Sequence, residues 1–240
     1  MKKADYGLDA PIVVRNLFIF GVLSVLVGII VLVIFSFGLM VMSIIGGLIL
    51  FTGICLMITG SLMIFSSKIG KIKQREKLLD ILSFRGNENV LDVGCGRGLY
   101  LVGAAKRLSS GSVVGIDIWQ GEDLLNNSLK NTLANASREG VINKVSINTA
   151  DMRDIPFEND HFDLVLSCLA IHNIYDVTER EKALLEILRV LKVGGKLCII
   201  DMSHINEYIK VFEHNGVTVQ TLRALRLVFP KSTAIIGFKN

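Results

Sequence analysis

Charge is missing from a fifth of this chain: residues 17–67 contain no Asp, Glu, Lys, Arg, His, Asn or Gln. A bilayer core of about 30 Å is crossed by about 20 such residues, so the run is long enough for two spans. Other absences narrow the function. The four cysteines, Cys55, Cys95, Cys168 and Cys198, form no C-x-x-C pair, which argues against a disulfide framework or a redox motif. The four histidines are dispersed with no paired-ligand spacing, so no metal site is expected. No basic stripe with interleaved aromatics is present, which argues against nucleic acid as a partner. There is no internal repeat and no low-complexity linker.

Within the uncharged run, Ser36, Phe37 and Gly38 are the natural break, giving spans over 17–35 and 39–65 joined by a tight hairpin. Gly21 and Gly28 on the first span, and Gly46, Gly53 and Gly60 on the second, recur every seven residues. Seven residues are about two helical turns, so each set forms a stripe where helix backbones can approach. Lys2, Lys3 and Arg15 precede the spans, Lys68, Lys71, Lys73, Arg75 and Lys77 follow them, and the hairpin has no positive charge. By the positive-inside rule both ends face the cytoplasm. A cleaved signal peptide fits poorly, because the apolar run is too long, lacks an A-x-A site and is followed at once by a second span. The expected organisation is therefore a cytoplasmic arm over 1–16, a transmembrane hairpin over 17–66 and a cytoplasmic domain over 67–240, the whole an integral membrane protein in contact with lipid. Of the 240 residues 51% are hydrophobic, raised mostly by this run, and the formal charge of +4 is modest.

Beyond the basic cluster, Val90-Leu91-Asp92-Val93 reads as a short apolar strand that runs into Gly94-Cys95-Gly96-Arg97-Gly98 and then a helical pattern from Leu99. Glycines permit positive φ and close approach of a ligand to the turn. A dinucleotide fingerprint needs G-x-G-x-x-G, but here the third glycine comes one residue early and Leu99 fills its slot, which argues against NAD. Asp92 is an odd residue for a buried strand unless it meets a cation or a cluster of donors. Downstream, 112–118, 144–150, 162–167 and the segment after Gly194-Gly195 read as four more strands, the last ending near Asp201.

The strand, glycine loop and helix resemble motif I of the class I, Rossmann-like S-adenosylmethionine-dependent methyltransferases, and the later segments resemble that family's later motifs in order, over 71–240. One departure is Val193, which stands where the family usually has proline. The resemblance implies that S-adenosylmethionine is bound by Asp92, Gly94, Cys95, Gly96 and Gly98, with Asp117 accepting the ribose hydroxyls and Ile118 beside it. It further implies Asp151 on the adenine amino group and Met152 against the ring, although Met152 fits equally as a core gap-filler. Ser167 and Cys168 close the set after the fourth strand; Cys168 reads alternatively as a small packing residue.

Helical spacing predicts helices over 122–138, carried by Leu124, Leu125, Leu129 and Leu133, over 178–191, opened by a capping box from Thr178 to Glu181, and over 205–214, closed by Asn215-Gly216. Strands over 217–228 and 231–238 follow. The expected fold is α/β: a seven-stranded, mostly parallel, doubly wound sheet with a C-terminal antiparallel hairpin, preceded by the transmembrane helical hairpin.

The function implied by the resemblance is methyl transfer to a small, lipophilic or membrane-associated acceptor, because an anchor places the domain where such acceptors dissolve. His172 is the candidate base, or a histidine that orders its loop; Asn173 and Tyr175 orient a polar head, or Asn173 caps the next helix. The arm over 1–16 is a candidate lid. Two other classes remain at this point: a tethered cofactor-binding module without catalysis, and a nucleotide-dependent oxidoreductase, which the glycine spacing disfavours.

Overall fold

The structure, a computed structural model, describes residues 3–35, 40–120, 124–223, 228 and 231–240. The first helix, α1 (Pro11–Ile34), starts six residues before the expected span because Pro11, with its φ already set, occupies the first turn. Ser36, Phe37 and Gly38 lie outside the described residues. Helix α2 (Met40–Phe65) continues through a π-helical turn (Ser66–Gly70) into α3 (Lys71–Leu82). The two glycine stripes face one another, for a Cβ on Gly53 would stand 2.7 Å from the Gly21 carbonyl oxygen and one on Gly28 would stand 2.7 Å from the Leu50 nitrogen. Gly60 instead receives the ring of Phe18. Apart from these contacts both helices expose their aliphatic side chains. The hydroxyls of Thr52, Thr59 and Ser61 donate to carbonyls one turn back, so they add no unpaired polar group to that surface.

The sheet has seven strands: β1 (Asn89–Val93), β2 (Ser112–Asp117), β3 (Val145–Thr149), β4 (Phe162–Cys168), β5 (Leu191–Asp201), β6 (Val217–Arg223) and β7 (Thr233–Lys239). Their order is β3-β2-β1-β4-β5-β7-β6; the first five are parallel and β7 is antiparallel to both of its neighbours. The remaining helices are α4 (Leu99–Ala105), α5 (Leu129–Arg138), α6 (Val177–Val190) and α7 (Ile205–His214). Side chains alternate across the sheet as a doubly wound fold requires. Val90, Leu164, Leu166, Cys198 and Ile200 pack with Leu78, Leu79 and Leu101, from α3 and α4. Leu91, Val93, Val165 and Ile199 pack with Leu184, Ile187 and Phe212, from α6 and α7.

Four expectations are corrected. Helix α5 begins at Leu129, with Ser128 as its cap, rather than at 122. Leu124 instead makes an isolated bridge to Asp9, and Asn126 has φ +56°, so the chain cannot be helical there; residues 121–123 lie outside the described residues. The buried face of α5 is Thr132, Asn135 and Ala136, not the leucines. Helix α6 opens at Asp176, whose Oδ1 accepts from Thr178 N (2.8 Å) and Glu179 N (3.1 Å); no capping box forms at Thr178. The Gly194-Gly195 turn is a bulge within β5, where pairing jumps from Phe162–Leu191 to Leu164–Lys196. Strand β6 ends at Arg223, and 224–227 and 229–230 are outside the described residues.

Candidate active site

The strand order reverses at β1, between β2 and β4, so a crevice opens at the carboxyl ends of these strands. The glycine loop closes its floor. Gly94, Gly96 and Gly98 have φ of +66°, +51° and +81°, and a Cβ on Gly94 would collide with the Ala170 methyl at 2.3 Å. These glycines are therefore required by backbone conformation and by protein packing. Every turn of the loop is tied down. Gly94 N and Cys95 N donate to Ile116 O, Thr132 Oγ1 donates to Gly96 O at 2.7 Å and Asn135 Nδ2 donates to Arg97 O at 3.0 Å.

Asp92 resolves its own puzzle, because its Oδ2 accepts from Leu101 N at 2.8 Å and so braces α4 from within the sheet. Burial, with Asp117 nearby, pushes its carboxyl up to about 8. Asp117 stands at the end of β2 and accepts from Gly96 N (2.7 Å), Trp119 N (2.6 Å) and Asn127 Nδ2 (3.2 Å). Asp151 is gripped on both oxygens by Arg153, which also reaches Glu179 at 2.9 Å; that guanidinium holds the Asp151 carboxyl below its usual range. Met152 packs beside Gly94. The thiols of Cys95 and Cys168 are pushed up by burial and stay protonated.

The segment after β4 folds into a single 3₁₀ turn (Ile171–Asn173). His172 Nδ1 lies 2.6 Å from Asp201 Oδ1 in an oblique approach that forms no aligned hydrogen bond. Its backbone N–H donates to Asp201 Oδ2 at 3.1 Å. The fully buried Asp201 also accepts from Met202 N (2.8 Å) and the Tyr208 hydroxyl (3.3 Å). Asn173 does not cap α6, since Asp176 does, and Tyr175 is almost wholly exposed at the rim.

Of the sequence-predicted residues, Asp92, Gly94, Cys95, Gly96, Asp117, Ile118, Asp151, Met152, Cys168, His172 and Asn173 all border one cavity of about 1070 Å³. Gly98 and Ser167 do not border it: Gly98 starts α4, and the Ser167 hydroxyl is buried within the sheet. Sequence reasoning singled out the arm but not its contacts, and it missed the parts of Arg153 and Asp201. The signal for Asp201 was the one used for Asp92, an acid closing an apolar strand. The arm crosses the loop from outside: Asp5 N donates to Asn135 Oδ1 (3.0 Å), Asp5 Oδ2 meets Arg97 (3.3 Å), and Tyr6 is buried under the Arg75 guanidinium.

A cradle of left-handed glycines beside a strand-end carboxylate fits a nucleoside-bearing cofactor, and comparison with known proteins agrees. A family described as a methyltransferase domain matches residues 91–199. An uncharacterized Haemophilus influenzae protein is 30% identical over 190 residues, 73% of this chain and 71% of that one. A ubiquinone/menaquinone biosynthesis C-methyltransferase of Vibrio vulnificus is 32% identical over 128 residues, 52% of this chain and 45% of that enzyme. The chain thus spans about half the length of the curated methyltransferase it matches there. Among solved structures, an S-adenosylmethionine-dependent methyltransferase of Aquifex aeolicus superposes with a TM-score of 0.55 at 21% identity, covering 69% of this chain and 89% of that one. Fold and site define a class I α/β methyltransferase. The chain belongs to the S-adenosylmethionine-dependent methyltransferase family.

Proposed function

We propose that this protein is anchored in a membrane by α1 and α2 and methylates a small lipophilic acceptor. The observation that carries this reading is the shape of the cavity, which runs from Gly96 and Asp117 to Ile12, Val13 and Leu17 of α1 and Thr59 and Met63 of α2. A water-soluble acceptor has no use for an apolar end between two such helices. Both helices are long and apolar enough to cross a bilayer, and only 11% of each hydrophobic window is buried, unlike a core helix. With basic residues at both outer ends, the proposed topology puts both termini and the catalytic domain in the cytoplasm.

In this reading Gly94, Cys95, Gly96, Ile118 and Met152 would line the cofactor, Asp117 would hold its ribose, and Gly98 and Asp92 act from behind by starting and fixing α4. Asp151, already clasped by Arg153, faces the adenine edge with its remaining acceptor capacity. When bound, the cofactor supplies an electrophilic methyl on a sulfonium. The protein then has to align the acceptor and exclude water, which can lower a barrier by up to about 7–11 kcal/mol. His172 takes the proton of an acceptor that arrives protonated. Asp201 holds the backbone N–H of His172 and lies beside its Nδ1, so Nε2 is the nitrogen assigned to proton transfer, and Tyr208 and Met202 hold Asp201 in turn.

The test is detergent-purified protein given labelled S-adenosylmethionine and a total membrane extract, with mass identification of the labelled product. His172→Ala is expected to lower turnover by about 10²–10⁴-fold, the usual worth of a positioned base. Its affinity for S-adenosylhomocysteine should stay within about twofold of wild type by calorimetry. Loss of that affinity instead assigns His172 to ordering the loop.

A further inference from the structure

Three buried polar side chains in the cavity have no visible use. The hydroxyls of Tyr6 and Tyr100 and the Oε1 of Gln74 make no hydrogen bond among the described residues, though all three side chains are more than nine-tenths buried and border the cavity. Gln74 reaches toward the Tyr100 hydroxyl and Arg75 toward that of Tyr6, but neither contact is short and aligned enough to satisfy the named oxygens. Gln74 uses only its Nε2, on Ser232 Oγ at 3.3 Å. Unpaired polar atoms are costly in a protein interior, so one such atom calls for a reason and three bordering one cavity call for a ligand.

Their position says which part of a ligand they meet. Tyr6 comes from the arm, Gln74 from α3 and Tyr100 from α4, so they stand where the glycine loop gives way to the membrane helices. Cys168 and His172, after β4, and Leu17 and Met63, from α1 and α2, line the same cavity. The nearby cations are already spent, since Lys71 Nζ is held by Asp9 Oδ1 (2.9 Å), Tyr6 O (3.0 Å) and Gly7 O (3.3 Å), and Arg75 donates to Glu76 Oε1 (2.7 Å) and Leu99 O (3.3 Å). An anionic head therefore finds no free counter-charge here. Two hydroxyls, which donate or accept, and one amide oxygen, which only accepts, suit a neutral head carrying both a donor and an oxygen acceptor.

We infer that Tyr6, Gln74 and Tyr100 form the acceptor's head-group subsite, and that the acceptor is a neutral, hydroxyl-bearing amphiphile whose hydrocarbon chain lies against Leu17 and Met63 after entering sideways from the bilayer. This deepens the methyl-transfer reading and rests on it for its purpose. It differs in what it requires: a ligand held by these three side chains whether or not methyl is transferred.

The experiment uses full-length protein in lipid nanodiscs with S-adenosylhomocysteine, and as probe 4-dodecylphenol carrying a diazirine midway along its chain. After photolysis, labelled residues are mapped by mass spectrometry. Met63 is buried, whereas Leu48 faces outward and reports ordinary lipid contact. Label is expected at Met63 or Leu17, competed by unlabelled 4-dodecylphenol and not by dodecane. Tyr6→Phe and Tyr100→Phe should each lower it at least fivefold with Leu48 labelling unchanged. Each variant removes an oxygen that makes no bond among the described residues, so neither costs the fold an internal partner. Undiminished Met63 and Leu17 labelling in both variants, or label at Leu48 alone, overturns the subsite. If Met63 is labelled as expected while no membrane extract accepts methyl, the methyl-transfer reading fails and the subsite stands. If methyl is transferred while only Leu48 is labelled, the reverse holds.

Discussion

Two buried carboxylates stand near the carboxyl ends of apolar strands, and they differ in what surrounds them. Asp92 has one recorded donor, Leu101 N, and its carboxyl is raised to about 8 by burial. Asp201 has three donors, His172 N, Met202 N and the Tyr208 hydroxyl. The raised value has a consequence for stability. Because the folded protein holds the Asp92 proton up to about pH 8 and the unfolded chain releases it near 3.8, the native state binds more protons across that window. Stability therefore falls as pH rises through it. Asp92→Asn keeps an oxygen for Leu101 N and cannot ionise. In cofactor-free protein its melting temperature should gain on wild type steadily from pH 5 to pH 8, and parallel curves would contradict this origin of the shift. The acid of β1 was legible because it broke an apolar run beside glycines. The role of Asp201 was not, since its partners come from residues 29 positions earlier and 7 positions later.

Among the elements, the first four strands of the parallel sheet were read almost to the residue, because hydrophobic runs bounded by polar turns are a local signal; the fifth was started too late, at the glycine pair it contains. Helix starts were read less well, because a cap depends on where the preceding loop delivers the chain. Thr178 and Glu181 have a capping-box spacing, but Asp176 arrives first with an extended backbone and takes the two free amides. Asp176→Ala should therefore cost about 1 kcal/mol in a denaturant titration. Thr178→Ala should cost less, since its hydroxyl only leans on the same Asp176 oxygen. The leucine spacing ahead of α5 misled for a related reason. Leu124 serves the arm, bridging Asp9 and packing on Gly7, so its helical spacing with Leu129 is incidental. Contacts of this kind, between residues more than a hundred positions apart, leave no periodicity to read. The seven-residue glycine stripes did, and Gly21 meets Gly53 as that spacing implies.

For the whole molecule, the arm, the apolar helix pair and the sheet domain are tied together. Asp5 ties the arm to Lys68 at 2.7 Å and to Arg97, and Asp9 ties it to Ser67 and Lys71. In the proposed topology the protein should stay with the membrane pellet after alkaline carbonate extraction. Tags placed at either end of the chain should be digested in inverted vesicles and protected in right-side-out ones; opposite accessibility of the two ends would require a single span. The helix from Met40 to Leu82 is 43 residues long, about 65 Å at 1.5 Å per residue, of which a bilayer core takes about 30 Å. Its last third packs onto the sheet through Leu78, Leu79 and Leu82. If the proposed anchoring holds, one widened turn is the joint in that strut, and any lean that lipids impose on α2 would be handed to the catalytic body. Acyl-chain length would then act as a dial that raises or lowers the cavity mouth against the headgroups.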